Sequence, residues 1–156
     1  MKENIVREMV SSALSWEDAH VNFDNAVQNI PEKMYGVRHE NLSYSLWELI
    51  EHIRISQNDI LEFCRNSEYK EMPWPDAYWP DRASPESREE WDESISKYKS
   101  DRNALKSLAS DKSIDLTSKI PHGDGQTYLR ELLLVADHNA YHVGQIVLLR
   151  KLLGIW

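Results

Sequence analysis

His138 and His142 stand four residues apart in the run Asp137-His138-Asn139-Ala140-Tyr141-His142. On a helix that spacing projects both imidazoles from one face, about one turn apart, which suits two ligands to one divalent ion. The segment around them, Tyr128 to Leu153, is rich in leucine and valine and contains no proline. At ~100° per residue, His138, His142, Gln145, Leu149 and Leu153 fall within about a quarter of the helix circumference. Leu134, Val135 and Ile146 flank that stripe. The histidines are therefore expected to face a bundle interior, where an imidazole needs a partner. The pair alone is a weak signal, because chance puts two of six histidines four apart in roughly one chain of this length in five. A histidine on an apolar face is more often a hydrogen-bonded core residue than a ligand. A metal site needs a third ligand from elsewhere in the chain.

Other segments must bring that ligand in. Ser45 and Glu48 form a capping box that opens a helix to about Asn66. Leu46, Leu49, Ile50, Ile53, Ile60 and Leu61 make its apolar arc. His52, Ser56 and Asp59 lie on one edge of the arc, with Glu48 one turn earlier. Cys64 falls within the arc and reads as packing rather than as a nucleophile. Nearer the start, a short amphipathic piece (Ile5 to Leu14) precedes Ser15, which reads as an N-cap with Asp18 at the capping-box position. The row Trp16, His20, Phe23, Val27 and Ile30 then predicts a helix that Pro31 stops. That puts His20 on a core-facing stripe.

Ser84 as N-cap and Pro85 at the first helical position predict a further helix. Its inward seam is Trp91, Ile95, Tyr98, Arg102, Leu105 and Leu108. The last helix is expected from about Gln126 to Leu153, with Leu132, Val143 and Ile146 inward. Two sizeable connections remain. Residues 67–83 carry Met72-Pro73-Trp74-Pro75 and Tyr78-Trp79-Pro80, whose prolines forbid a regular helix. Their aromatics point to a loop pinned on the bundle, or to a lid over a pocket, rather than to disorder. Asp111 to Gly125 is the other connection. His39 and His122 lie in connecting segments, where surface placement is the default. Four amphipathic segments with two long connections predict one all-α domain over residues 1–156, a four-helix bundle. Its interior-facing histidines beyond the pair are His52 and His20.

Composition narrows the function classes. Twenty-six acidic against eighteen basic residues give a formal charge of −8, with no Lys/Arg cluster, which argues against nucleic acid or an anionic membrane as partner. A single cysteine excludes an intramolecular disulfide and fits a reducing compartment. No apolar run reaches the ~18 residues of a membrane span, and Met1-Lys2-Glu3-Asn4 lacks a signal-peptide core. A soluble, cytoplasmic protein is expected. No Walker-type loop, dinucleotide fingerprint, CxxC or Gly-x-Ser-x-Gly is present.

The pattern Ser45-Leu-Trp47-Glu-Leu-Ile-Glu51-His52-Ile, then Pro73-Trp-Pro75, Tyr78-Trp79-Pro80 and Asp137-His138-Asn-Ala-Tyr141-His142-Val-Gly144-Gln145, resembles the DinB-like superfamily. The resemblance extends to the ending Leu149-Arg150-Lys-Leu-Leu-Gly154-Ile-Trp156. It implies a four-helix bundle with a three-histidine metal site, one ligand from the second helix and an H-x-x-x-H pair from the last. In this chain those positions are His52, His138 and His142. The role of His20 is not implied by the resemblance.

Three neutral imidazoles on a divalent ion leave at least one position open, which points to chemistry rather than to a structural site. Imidazole ligands favour Zn²⁺, Ni²⁺ or Fe²⁺ over Mg²⁺ or Ca²⁺. Bound water can reach a pKa near ~7, and a bound thiol is deprotonated outright. These options match two branches of the resembling family, the metal-dependent hydrolases and the S-transferases for low-molecular-weight thiols such as bacillithiol or mycothiol. Glu48, Asp59, Glu131, Tyr141 and Gln145 lie near the histidine stripes and are candidate proton handlers or supports. A non-catalytic, stress-associated scaffold with a vestigial metal site is the alternative from another class. The resemblance and the apolar 67–83 connection also raise the expectation of a homodimer.

Overall fold

The structure, a computed structural model, describes residues 2–156. Its helices are α1 (Lys2–Ala13), α2 (Phe23–Ala26), α3 (Leu46–Arg65), α4 (Arg88–Ser110) and α5 (Tyr128–Leu152), with no strand among the described residues. The four long ones pack as a bundle, α3 against α4 and α5, and α1 against the same two. The all-α fold expected from the periodicity is the fold observed. No helix among the described residues is long and apolar enough to cross a membrane.

α3 starts where its capping signal places it. Ser45 Oγ accepts from the Glu48 amide (3.2 Å), and Glu48 Oε2 accepts from the Ser45 amide (2.7 Å). Two orphan amide donors of the first turn are thereby satisfied, which fixes the register of every later side chain on α3. Leu46, Leu49, Ile50, Ile53 and Leu61 are buried, while Ile60 is only half-buried. Cys64 is buried as well, and burial with the nearby Glu131 charge pushes its thiol up to about 12. That is the environment of a packing cysteine.

α4 begins three residues later than Ser84-Pro85 implies. Ser87 is the cap, its Oγ accepting from the Glu90 amide (3.2 Å), and Glu89 and Glu90 complete an acidic first turn. Ser84 instead abuts Gly36, where an added Cβ would stand 2.4 Å from the Ser84 Cβ. The close approach requires glycine, and it holds the segment before α4 against the one before α3. α5 is capped by Thr127, whose Oγ1 accepts from the Arg130 amide (3.2 Å), so it starts at Tyr128 rather than Gln126. Trp91, Tyr98 and Leu105 on α4 and Leu132, Val143 and Ile146 on α5 are buried as expected, with Ile95 half-buried.

The N-terminal expectation needs correction. The bundle's first long helix is α1, in residues 2–13, and the row Trp16 to Ile30 does not form one helix. Ser15 follows a helix rather than starting one, since its amide donates to the Ser12 carbonyl (2.9 Å). Asn22 restarts the chain by accepting from the Asn25 amide (2.9 Å), and Asn29, at φ 56°, lies just beyond the single turn of α2. Asn22, Asp24, Asn25 and Asn29 are all weak helix formers, Asn22 spends its side chain on a new cap and Asn29 takes a positive φ, so the apolar spacing does not become one helix. Phe23, Val27 and Ile30 still reach the core, but Trp16 and His20 are exposed. α1 is fastened by Arg7, a buried guanidinium that donates to the carbonyls of Ala109 (3.1 Å), Asp111 (2.8 Å) and Ile114 (2.5 Å).

Candidate metal centre

α3 and α5 bring His52, His138 and His142 together, with one nitrogen from each ring within 4.8 Å of the others. His52 Nε2 lies 3.2 Å from His142 Nε2 and 3.2 Å from His138 Nε2. Two nitrogens each ~2.0–2.1 Å from one zinc ion at a tetrahedral angle stand about 3.3 Å apart, so the spacing fits a shared ion.

The outer nitrogens strengthen that fit. His52 Nδ1 is 2.8 Å from the Tyr78 carbonyl oxygen, which can only accept. The ring proton therefore sits on Nδ1, and Nε2 presents a lone pair. His142 Nδ1 likewise donates to Gln145 Oε1 (2.6 Å). His52 and His142 therefore turn lone pairs towards one another across 3.2 Å, a repulsion that a shared cation would relieve. Burial lowers the pKa of all three rings. His138 is pushed down to about 4, by burial first and then by its two histidine neighbours. His52 and His142 are lowered chiefly by burial, against the opposing pull of the Tyr78 carbonyl and of Gln145 respectively. Near neutral pH the three are uncharged and competent as ligands.

The 67–83 connection forms a wall of this site. Trp79 stacks on His52 with ring centroids 4.0 Å apart and planes 5° from parallel. Tyr69 and Tyr78 both donate their hydroxyls to Asp59, each at 2.8 Å. The segment is thus pinned to α3 at two levels, through Asp59 and through His52. Sequence reasoning expected a pinned loop here but missed the Trp79 stack and the Tyr78 carbonyl. The only signal was the unusual aromatic content between prolines.

The other candidates separate cleanly. Gln145 touches His142 of the cluster, and Tyr141, largely exposed, stands edge-on to the same ring with centroids 4.9 Å apart. Glu48 is engaged elsewhere, in the α3 cap and in a two-pronged pairing with Arg38. Burial raises its pKa, but Arg38 and Ser45 more than offset this and hold it below the usual carboxylate range. Asp59 is taken by the two tyrosines, and Glu131 is buried and paired with Arg130 (2.6 Å). His20 bonds the Val21 carbonyl (2.9 Å) and His122 the Phe63 carbonyl (2.7 Å), both outside the cluster.

A helical bundle whose second and last long helices converge three imidazoles defines a class of protein, the histidine-bearing four-helix bundles. The DinB superfamily model matches residues 15–146, and the chain belongs to that superfamily. No curated protein and no solved structure matches the chain.

Proposed function

We propose that His52, His138 and His142 hold one divalent transition metal, Zn²⁺, Ni²⁺ or Fe²⁺, at the centre of an enzyme that transfers a low-molecular-weight thiol to a small electrophilic substrate. A bound ion of this kind supplies a Lewis acid with open positions, able to acidify a thiol or a water placed there. Tyr78 and Gln145 orient two of the three ligand rings, and Trp79 covers His52 against solvent. One observation bears on the choice. Glu48, Asp59 and Glu131 are all bonded to groups other than the histidines. That leaves carboxylate-assisted attack by water without a free proton acceptor, while an ion that acidifies the bound group itself, thiol or water, needs none. In the overall reaction a C–S bond forms, the leaving group departs with its electron pair, and the thiol proton passes to solvent.

Metal-loaded protein should therefore conjugate bacillithiol, or another small thiol, to a chromogenic electrophile faster than it hydrolyses an ester without thiol. Ester hydrolysis that needs no thiol, with no conjugation, would replace this reading with a hydrolase.

Self-association is the second part of the proposal. Tyr78 is buried and Trp79 half-buried against their own chain, so most of the 67–83 aromatics do not supply the surface expected of them. The outward side of α5 does, with Tyr141, Leu148 and Leu152 exposed. A homodimer through that side is expected in light scattering at micromolar concentration, and a monomer there would dismiss it.

A further inference from the structure

A cavity of about 370 Å³, apart from the histidine cluster, lies between α1, the 14–23 segment and α5. That volume is within the range of small-molecule pockets, roughly 300–1,000 Å³. Its walls are apolar, with Val10, Leu14 and Phe23 on one side and Ala136, Ala140 and Val143 on the other. At ~100° per residue the three α5 residues project from the side of the helix turned away from His138 and His142. The metal cluster and this cavity therefore occupy different faces of one helix. Met9, Trp16 and Leu133, all substantially exposed, stand at the mouth.

The polar groups here are not neutral in balance. Arg102 lines the cavity with its side chain only 11% exposed, its guanidinium over the Tyr98 ring (5.5 Å to the centroid). One of its nitrogens donates to Asp24 (2.5 Å), while its Nε is buried without a partner. Asp24 is also shared with Lys99 (3.2 Å). One turn further along α4, Lys106 donates to Ser15 Oγ (2.6 Å), and Ser15 lines the same cavity. Burial and the Arg102 charge lower the Lys106 pKa. Glu17, the carboxylate nearest in sequence, is bonded to Asn22 (3.2 Å) and Asn25. Arg102 and Lys99 share one carboxylate, Asp24, and Lys106 is bonded only to the Ser15 hydroxyl, which on a chain of net charge −8 leaves room for an anion.

We propose that this cavity binds a small amphipathic carboxylate, its aryl or alkyl body between α1 and α5 and its carboxylate at the Arg102–Lys106 rim. The site is independent of the metal cluster. Charge at the rim and apolar walls within select that class over a neutral apolar molecule of the same shape, since the carboxylate would gain a charge-assisted hydrogen bond.

Calorimetric titration with 4-phenylbutyrate and with 4-phenylbutan-1-ol separates the two contributions. The carboxylate should bind about tenfold or more tightly than the alcohol, the size of one hydrogen bond to a charged group. Lys106→Met should erase that preference and leave the alcohol's affinity unchanged. Ala136→Phe, which fills the cavity, should abolish binding of both, with Ala140→Leu as the second filling variant should the first lower the melting temperature. His142→Ala should leave both affinities as they are. No binding of 4-phenylbutyrate, equal affinity for the two probes, or binding that survives both filling variants would overturn the proposal. A filling variant that alters oligomeric state without altering probe binding would make this face a contact between copies instead.

Discussion

Replacing His142 by alanine is expected to strip the protein of divalent metal. His142 is one of three converging nitrogen donors, and the two that remain cannot enclose an ion. The loss should exceed the ~10–100-fold typical of removing a group that merely orients a ligand. Gln145→Leu supplies that smaller step, because it removes the acceptor that fixes the His142 ring while leaving all three ligands in place. Elemental analysis of protein purified without chelator, wild type beside the two variants, gives the ranking. Both variants should keep their helix content, since the buried faces of α3 and α5 are otherwise untouched. Metal content that is unchanged in His142→Ala would place the ion elsewhere in the molecule.

The graded expectation follows from how the site is assembled. The Ser45–Glu48 cap sets the register of α3, and with it the direction of His52 two turns into the helix. Asp59, two turns beyond His52, holds Tyr69 and Tyr78. That brings the Tyr78 carbonyl to His52 Nδ1 and lays Trp79 on the ring. Asp59 thus fastens the segment that meets the His52 ring.

Where apolar spacing and a capping signal agreed, the chain was legible. α3 shows this most clearly, whereas in α4 and α5 the spacing gave the buried rows and the start was misplaced by a few residues. The His138–His142 pair was visible because a helix converts a spacing of four into a shared face. His52 entered through the family pattern, since periodicity alone left His20 in contention. The failure lay between Ser15 and Ile30. There the apolar rhythm was real, and Phe23, Val27 and Ile30 do pack inward, but Asn22 uses its own side chain to cap a new turn and Asn29 takes a positive φ. Hydrophobic periodicity does not register either of these. Contacts through main-chain atoms, such as the Tyr78 carbonyl, have no side-chain signature at all. The pairings of Glu48 with Arg38 and of Asp59 with Tyr69 and Tyr78 depended on partners brought from irregular segments, which spacing along one helix does not reveal.

Acid should release the metal, and it should do so below the range in which an ordinary histidine titrates. An unperturbed imidazole protonates near ~6.5. All three rings here are lowered by burial, His138 to about 4. Only neutral imidazole is a ligand, so proton competition for the site begins below the ordinary value rather than at it. Metal occupancy should therefore fall only below the ordinary value, as the first of the three rings takes up a proton. The same shifts set the sign for the metal-free protein. Between about 6.5 and the depressed folded values the unfolded chain binds more protons, so stability rises with pH across that window and declines as acid is added. His52→Ala removes one of the three contributions and should flatten that slope while preventing metal binding at any pH. The decisive measurement pairs metal occupancy with the rate of thiol conjugation across pH, for wild type and His52→Ala. Both quantities should fall together in the wild type and be absent in the variant. Activity that survives both acidification and the loss of His52 would overturn the metalloenzyme reading and leave the bundle a scaffold whose histidines do no chemistry.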